Sequence, residues 1–236
     1  FRVWAPNAMS VSVIGDFNDW DPQRSPLRAR TDGSGIFDGA LEHVPIGTRY
    51  KYRIVDARNG QQLDKADPFA FWSEVAPGTA SRLVSLDFEW RDEAWMSEQA
   101  AHNALDRPLS IYEVHFGSWR RPGGRLPTYA ELAEPLARYA DDLGFTHVEL
   151  LPLTEHPFYG SWGYQTTGYF AATSRYGSPQ DLMLLIDTLH RHGIGVILDW
   201  VPSHFPSDPH GLALFDGTPL YEHPDPRRGF HPEWNS

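Results

Sequence analysis

The sequence predicts a multidomain β plus α/β protein: an all-β sandwich followed by the opening units of a parallel α/β sheet. Three observations carry this reading. Residues 1 to about 90 fall into short alternating runs cut by turn-formers. Further on, three apolar strand-like runs are separated by helical stretches. Between the two patterns, residues 91–107 are polar and alanine-rich, and read as a linker with some helix. The expected division is therefore a sandwich over 1–90, a linker over 91–107, and the beginning of the α/β part over 108–236.

In the first part the runs are "FRVWA", "VSVIGDF", "GIFDGALEHV", "YKYRIVD" and "SRLVSLDF". Ala5-Pro6-Asn7, Asp21-Pro22, Asp32-Gly33 and Ile46-Gly47 separate them, and short strands at this spacing suggest a sandwich. Trp20 follows "GDFND" in a polar turn, where a large aromatic is either core or a ligand contact.

In the second part the strands are "IYEVHFG" (111–117), "THVELLP" (146–152) and "VILDWVP" (196–202). The stretch after the first strand opens with Thr128 and Glu131 in capping-box spacing. A proline inside a helix removes a hydrogen bond, so Pro135 predicts a short turn and then a helix over 135–143, stopped by Gly144. The next stretch has Ser178 as cap, Pro179 first, Asp181 three past the cap and Gly193 as stop. Leu182, Leu185, Ile186 and Leu189 share one of its faces. The order β-α-β-α-β implies parallel strands joined by right-handed crossovers and covered on both faces. Three strands cannot close a barrel, but they can be the first three of eight.

Ligands of parallel α/β proteins bind at the carboxyl ends of the strands. There the third strand delivers Asp199 and, in the loop beyond, His204. The loop after the second strand, residues 154–177, is long for its class. It carries Trp162, Tyr164, Gln165, Tyr169 and Tyr176. Trp119 and Arg120 follow the first strand, so three loops are expected to converge on one rim. His115, His147, His156, His190 and His192 lack metal-ligand spacing and read as structural.

Composition limits the partners. The formal net charge of -11 argues against nucleic acid, which calls for surplus Lys and Arg. The absence of cysteine excludes disulfides and thiolate metal sites, and fits a reducing compartment. No apolar run reaches the roughly 20 residues of a membrane span. Nine Trp, ten Tyr and thirteen Phe are an aromatic excess that serves either cores or sugar-stacking platforms. "FRVW" reads as a strand already under way and "HPEWNS", ending at Ser236, as an unfinished segment, so a fragment of a longer chain is expected.

Taken together, "FRVWAPNA", "GDFNDW", "YEVHFGSWRR", "GFTHVELLPLTEHPFYGSWGYQTTGYFA", "GVILDWVPSHFP" and "FDGTPLYEHPDPRRGFHPEWN" resemble the glycogen (1,4-α-glucan) branching enzymes of the α-amylase superfamily. The resemblance spans nearly the whole chain. It implies an immunoglobulin-like sandwich of the family-48 carbohydrate-binding type, then the first three β/α units of a (β/α)8 TIM barrel. It implies a cytoplasmic glycosyltransferase of glycogen biosynthesis that acts on α-glucan without a cofactor. It also implies a sugar subsite at Trp162, Tyr164, Gln165, Asp199 and His204. The nucleophile Asp, acid Glu and stabilising Asp of that superfamily come from later strands. They are therefore expected beyond Ser236, and no catalytic residue is expected within this chain.

Two positions depart from related patterns. Ser203 stands where α-amylases place an Asn that often binds calcium, which argues against a metal. In the sandwich, Trp20 and Lys51 match glycan-touching positions of related modules. The second tryptophan of those modules falls near Gln61-Gln62-Leu63, where no aromatic stands. The remaining alternatives are a debranching or trehalose-releasing hydrolase of the same layout, and a non-catalytic glycan-binding fragment.

Overall fold

The computed structural model describes residues 1–203, 205–229 and 232–233. In the amino-terminal part, β1 (Arg2–Trp4), β3 (Arg28–Ala29) and β4 (Ile36–Asp38) form an antiparallel sheet in the order β1-β4-β3. A second antiparallel sheet holds β2 (Ala8–Gly15), β5 (Arg49–Asp56) and β6 (Gln62–Lys65), with the short β7 (Ser81–Arg82) also paired to β5. Alternation along β5 sends Tyr50, Tyr52 and Ile54 inward, as a period-2 strand must. There they meet Val3, Val11, Val13 and Phe37. Both buried phenols donate to Asp67 Oδ2, at 2.8 and 3.1 Å, so neither polar tip is left unpaired.

This core also holds Phe215, fully buried, from far along the chain. Leu212, Leu220 and Tyr221 pack beside it. Nothing local in the sequence announces that return.

The stretch expected as a linker carries a ten-residue helix. Helix α1 (Glu93–His102) is tied down by Trp95, whose ring lies between His102 and His190, at 4.5 and 5.1 Å between centroids. Asp92, just before the helix, accepts from His190 Nδ1 at 2.7 Å.

Next come β8 (Ile111–Val114), the single-turn α2 (Phe116–Trp119), α3 (Tyr129–Asp142) and β9 (His147–Leu150). Strands β10 (Thr154–Glu155) and β11 (Gly168–Ala172) precede α4 (Pro179–Arg191) and β12 (Gly195–Leu198), and α5 (Pro226–Gly229) follows. Strands β12, β9 and β8 are adjacent in that order and parallel, with Ile197, Glu149 and Glu113 in register. Val148 and Leu150 face α3 and α4, where Leu136, Leu185 and Leu189 are fully buried. The predicted capping box and the predicted Ser178 cap both form: Thr128 accepts from Glu131 N, and Ser178 from Asp181 N.

Two expectations change. Helix α3 runs unbroken through Pro135. The missing N–H deprives the carbonyl of Glu131, an exposed residue, of its helical partner, while the apolar face of the helix is fixed by burial. The loop after the second strand is also partly ordered as an antiparallel ribbon, β10 with β11, closed by Thr167 N to Glu155 O at 2.8 Å. No helix among the described residues is long and apolar enough to cross a membrane.

Candidate functional site

The parallel ladder runs one residue past β12: the Asp199 N–H donates to Leu150 O at 3.0 Å. The carboxylate is thereby fixed at the carboxyl edge of the sheet. Across from it, the Tyr164 hydroxyl donates to Asp199 Oδ2 at 2.7 Å. Partial burial and the carboxylate it faces push the Tyr164 phenol up to about 12, with Glu113 and Glu149 adding to the effect. At neutral pH it is therefore a donor to Asp199, whose other oxygen accepts from none of the described residues.

Tyr164 is aimed by the turn before it. Trp162 has φ 56° and Gly163 φ 91°, two consecutive residues in the left-handed region. That region is unfavourable for a bulky side chain and free for glycine. A Cβ on Gly163 would overlap Pro152 O, so the turn needs glycine for space as well. The turn leaves the Trp162 ring half in solvent, 52% exposed, and stacked on His115 at 4.9 Å and 23°. Gln165 follows, half-buried, and is hydrogen-bonded to neither Tyr164 nor Asp199. Two positions named from the sequence, His204 of the subsite and Ser236, beyond which the catalytic carboxylates are expected, lie outside the described residues. Neither is therefore placed in the site.

The ribbon carrying this turn is clamped at its base. Buried Glu155 accepts from Arg175 Nη1 (3.0 Å), Ser174 N (2.8 Å), His156 N (3.0 Å) and Thr173 Oγ1 (3.1 Å). His156, also buried, hydrogen-bonds Thr154 O through Nδ1 at 2.8 Å. Desolvation pulls its imidazole down to about 4.

Three other expected rim groups lie elsewhere. Trp119 turns to the helix side, where its indole N–H donates to Tyr112 Oη and Arg120 lies over its ring at 4.3 Å. Tyr176 is buried in the core against Phe116 and Tyr129. Tyr169, by contrast, does reach the rim: it packs edge-on to Trp200 and lines a hollow shared with Asp199. Conversely, His115, which its spacing marks as structural, forms the floor beneath Trp162. Its place one residue past β8, at the carboxyl edge, is the signal that could have found it.

In the sandwich, Lys51 lines a cleft of about 740 Å³ between the sandwich and the ribbon, along with Gln61, Gln62 and Leu63. Its ammonium donates to Thr79 Oγ1 at 2.6 Å. Trp20 is outside that cleft, in a left-handed turn with its indole N–H on Asp16. Among the described residues no cluster of metal-ligating side chains forms.

Comparison with known proteins agrees with this layout. Residues 1–70 match the family Carbohydrate-binding module 48 (Isoamylase N-terminal domain), and residues 134–216 match the Alpha amylase, catalytic domain family. A crystal structure described as "Putative alpha Amylase from Salmonella typhimurium" superposes with a TM-score of 0.75 at 26% identity, covering 95% of this chain and 34% of that one. The chain is thus similar to a carbohydrate-binding module 48 over residues 1–70 and to an alpha amylase catalytic domain over residues 134–216.

More narrowly, it is similar to 1,4-alpha-glucan branching enzymes. It is 62% identical over 236 residues to the GlgB enzyme of Albidiferax ferrireducens and 64% identical over 237 residues to that of Aromatoleum aromaticum. Against the Aquifex aeolicus enzyme the identity is 59% over 240 residues. All of this chain is covered in each case, but only 37–38% of the relative's length.

Proposed function

We propose that this chain is the amino-terminal portion of a cytoplasmic 1,4-α-glucan branching enzyme of glycogen biosynthesis. In this reading, 1–90 is an immunoglobulin-like module, 91–107 a linker and 108–236 the first three β/α units of a (β/α)8 barrel. The whole protein would cleave an α-1,4 link and transfer the freed chain to a glucan 6-hydroxyl by retaining double displacement. That chemistry needs a carboxylate nucleophile and a carboxylic acid about 5–5.5 Å apart. Both would come from strands later than β12.

The part assigned to this chain is a sugar subsite. Its carrying observation is the Tyr164–Asp199 hydrogen bond at the carboxyl edge of the sheet. A phenol ring offers an apolar face to the C–H face of a glucose. The second oxygen of Asp199 accepts from a sugar hydroxyl, and half-exposed Trp162 offers a further face. Gln165 and His204 complete the subsite in this reading. The sandwich would serve chiefly as a rigid partner, since no aromatic accompanies Lys51 near Gln61-Gln62-Leu63.

The test is direct. Maltoheptaose titrated into the 236-residue chain should bind, with affinity lost in Asp199→Asn. The chain alone should leave the iodine spectrum of amylose unchanged and release no reducing sugar, whereas the whole protein should shift the spectrum. Turnover by the clean chain, or no branching by the whole protein, would overturn the reading.

A further inference from the structure

Residues 210–218 lie beyond the strand that ends at Asp199, yet they are fastened to the sandwich at several points. At β6 and the residue after it, Ala66 N donates to His210 O at 2.9 Å. Lys65, only 2% exposed, donates from Nζ to Gly211 O (3.2 Å) and Ala213 O (2.8 Å). Phe215 fills the sandwich core. Asp216, fully buried, accepts at Oδ2 from both Asn7 N and Asn7 Nδ2, each at 3.0 Å. The Arg58 guanidinium donates to Gly217 O while also paired with Asp56. Gly217, at φ 91°, has no room for a side chain, because a Cβ would overlap Asp56 Oδ2.

The lysine is the informative member. A buried ammonium is unfavourable unless its donors are satisfied. Here its acceptors are backbone carbonyls of the returning segment, with Glu222 the charge that acts on it from farther off. For the sandwich by itself, an apolar side chain of the same length would be the better filling. The ammonium is explained by what it grips.

We infer that the sandwich is a holder for the chain leaving the third parallel strand, and that Lys65 is the positioning residue through which it steadies Asp199. The segment is pinned at Asp199 by the sheet and at 210–218 by the sandwich, so loosening one end frees the other to shift. This goes beyond the subsite reading and rests on it only where glucan affinity is the readout.

Lys65→Met keeps the volume and removes the donors; Asn7→Ala, at a surface turn, removes the side-chain donor to Asp216 and leaves only the backbone N–H. In the 236-residue chain, amide hydrogen exchange over 211–218 should speed about tenfold or more in each variant, and the Asp199 amide should speed with it. Maltoheptaose affinity by calorimetry should fall about three- to tenfold, while Lys65→Gln, which keeps an N–H donor, should recover part of both effects. Unchanged exchange over 211–218, or faster exchange there with an unchanged Asp199 amide, overturns the inference. If the wild-type chain binds no maltoheptaose, the subsite reading fails, and the exchange comparison still decides the holder.

Discussion

Tyr164 and Asp199 are 35 residues apart in sequence and joined by a 2.7 Å hydrogen bond. One comes from a left-handed turn on a ribbon, the other from the end of a strand, and neither is placed by the element of the other. Tyr164→Phe keeps the ring and deletes the donor. A hydrogen bond to a charged group contributes about 1.5–3 kcal/mol, toward the lower figure at a half-exposed site. We expect maltoheptaose affinity to drop about tenfold by calorimetry, with a much smaller change in the urea midpoint.

Gly163→Ala tests the turn. The left-handed backbone and the clash with Pro152 O act together, so destabilisation on the order of 2 kcal/mol is expected in urea denaturation. Trp162 fluorescence should change as its ring leaves His115.

The base of the ribbon tests the buried pair. Removing one partner of a buried ion pair strands the other, at about 3–5 kcal/mol. Arg175→Met and Glu155→Gln should each show a loss of that order. The double variant should be far less destabilised than the sum, giving a clear coupling in a double-mutant cycle.

His156 makes the fold acid-sensitive. Its imidazole ionises near 6.5 when unfolded and about 4 when folded, so the unfolded chain binds more protons between those values. Stability from this residue is whole above pH 6.5 and is lost as pH falls toward 4, by on the order of 2–3 kcal/mol. His156→Asn, which can still donate to Thr154 O, should flatten the dependence of Tm on pH across that window.

Much of the frame was legible because it is locally encoded. The capping residues Thr128 and Ser178, the stops at Gly144 and Gly193, and the apolar face of α4 lie close together in sequence. The carboxyl-edge placement of Asp199 follows from its position after an apolar run. Pro135 misled because the propensity penalty is local, whereas the burial of Leu132 and Leu136 that overrides it is tertiary. Trp119 misled for a related reason: the single turn of α2 swings it toward α3, and no periodicity records that. His115 carries no signal of its own because its partner, Trp162, arrives from another loop.

The placement of Phe215 has a consequence for how the protein is made. The β-strands of residues 1–90 are synthesised before residue 215, so the core that Val3, Tyr52 and Ile54 share with Phe215 is incomplete until then. In the interval, nascent chain with an unfilled apolar interior is exposed to aggregation, the hazard of folds built on distant pairings. Maturation of the amino-terminal module is thereby timed by a segment more than a hundred residues downstream.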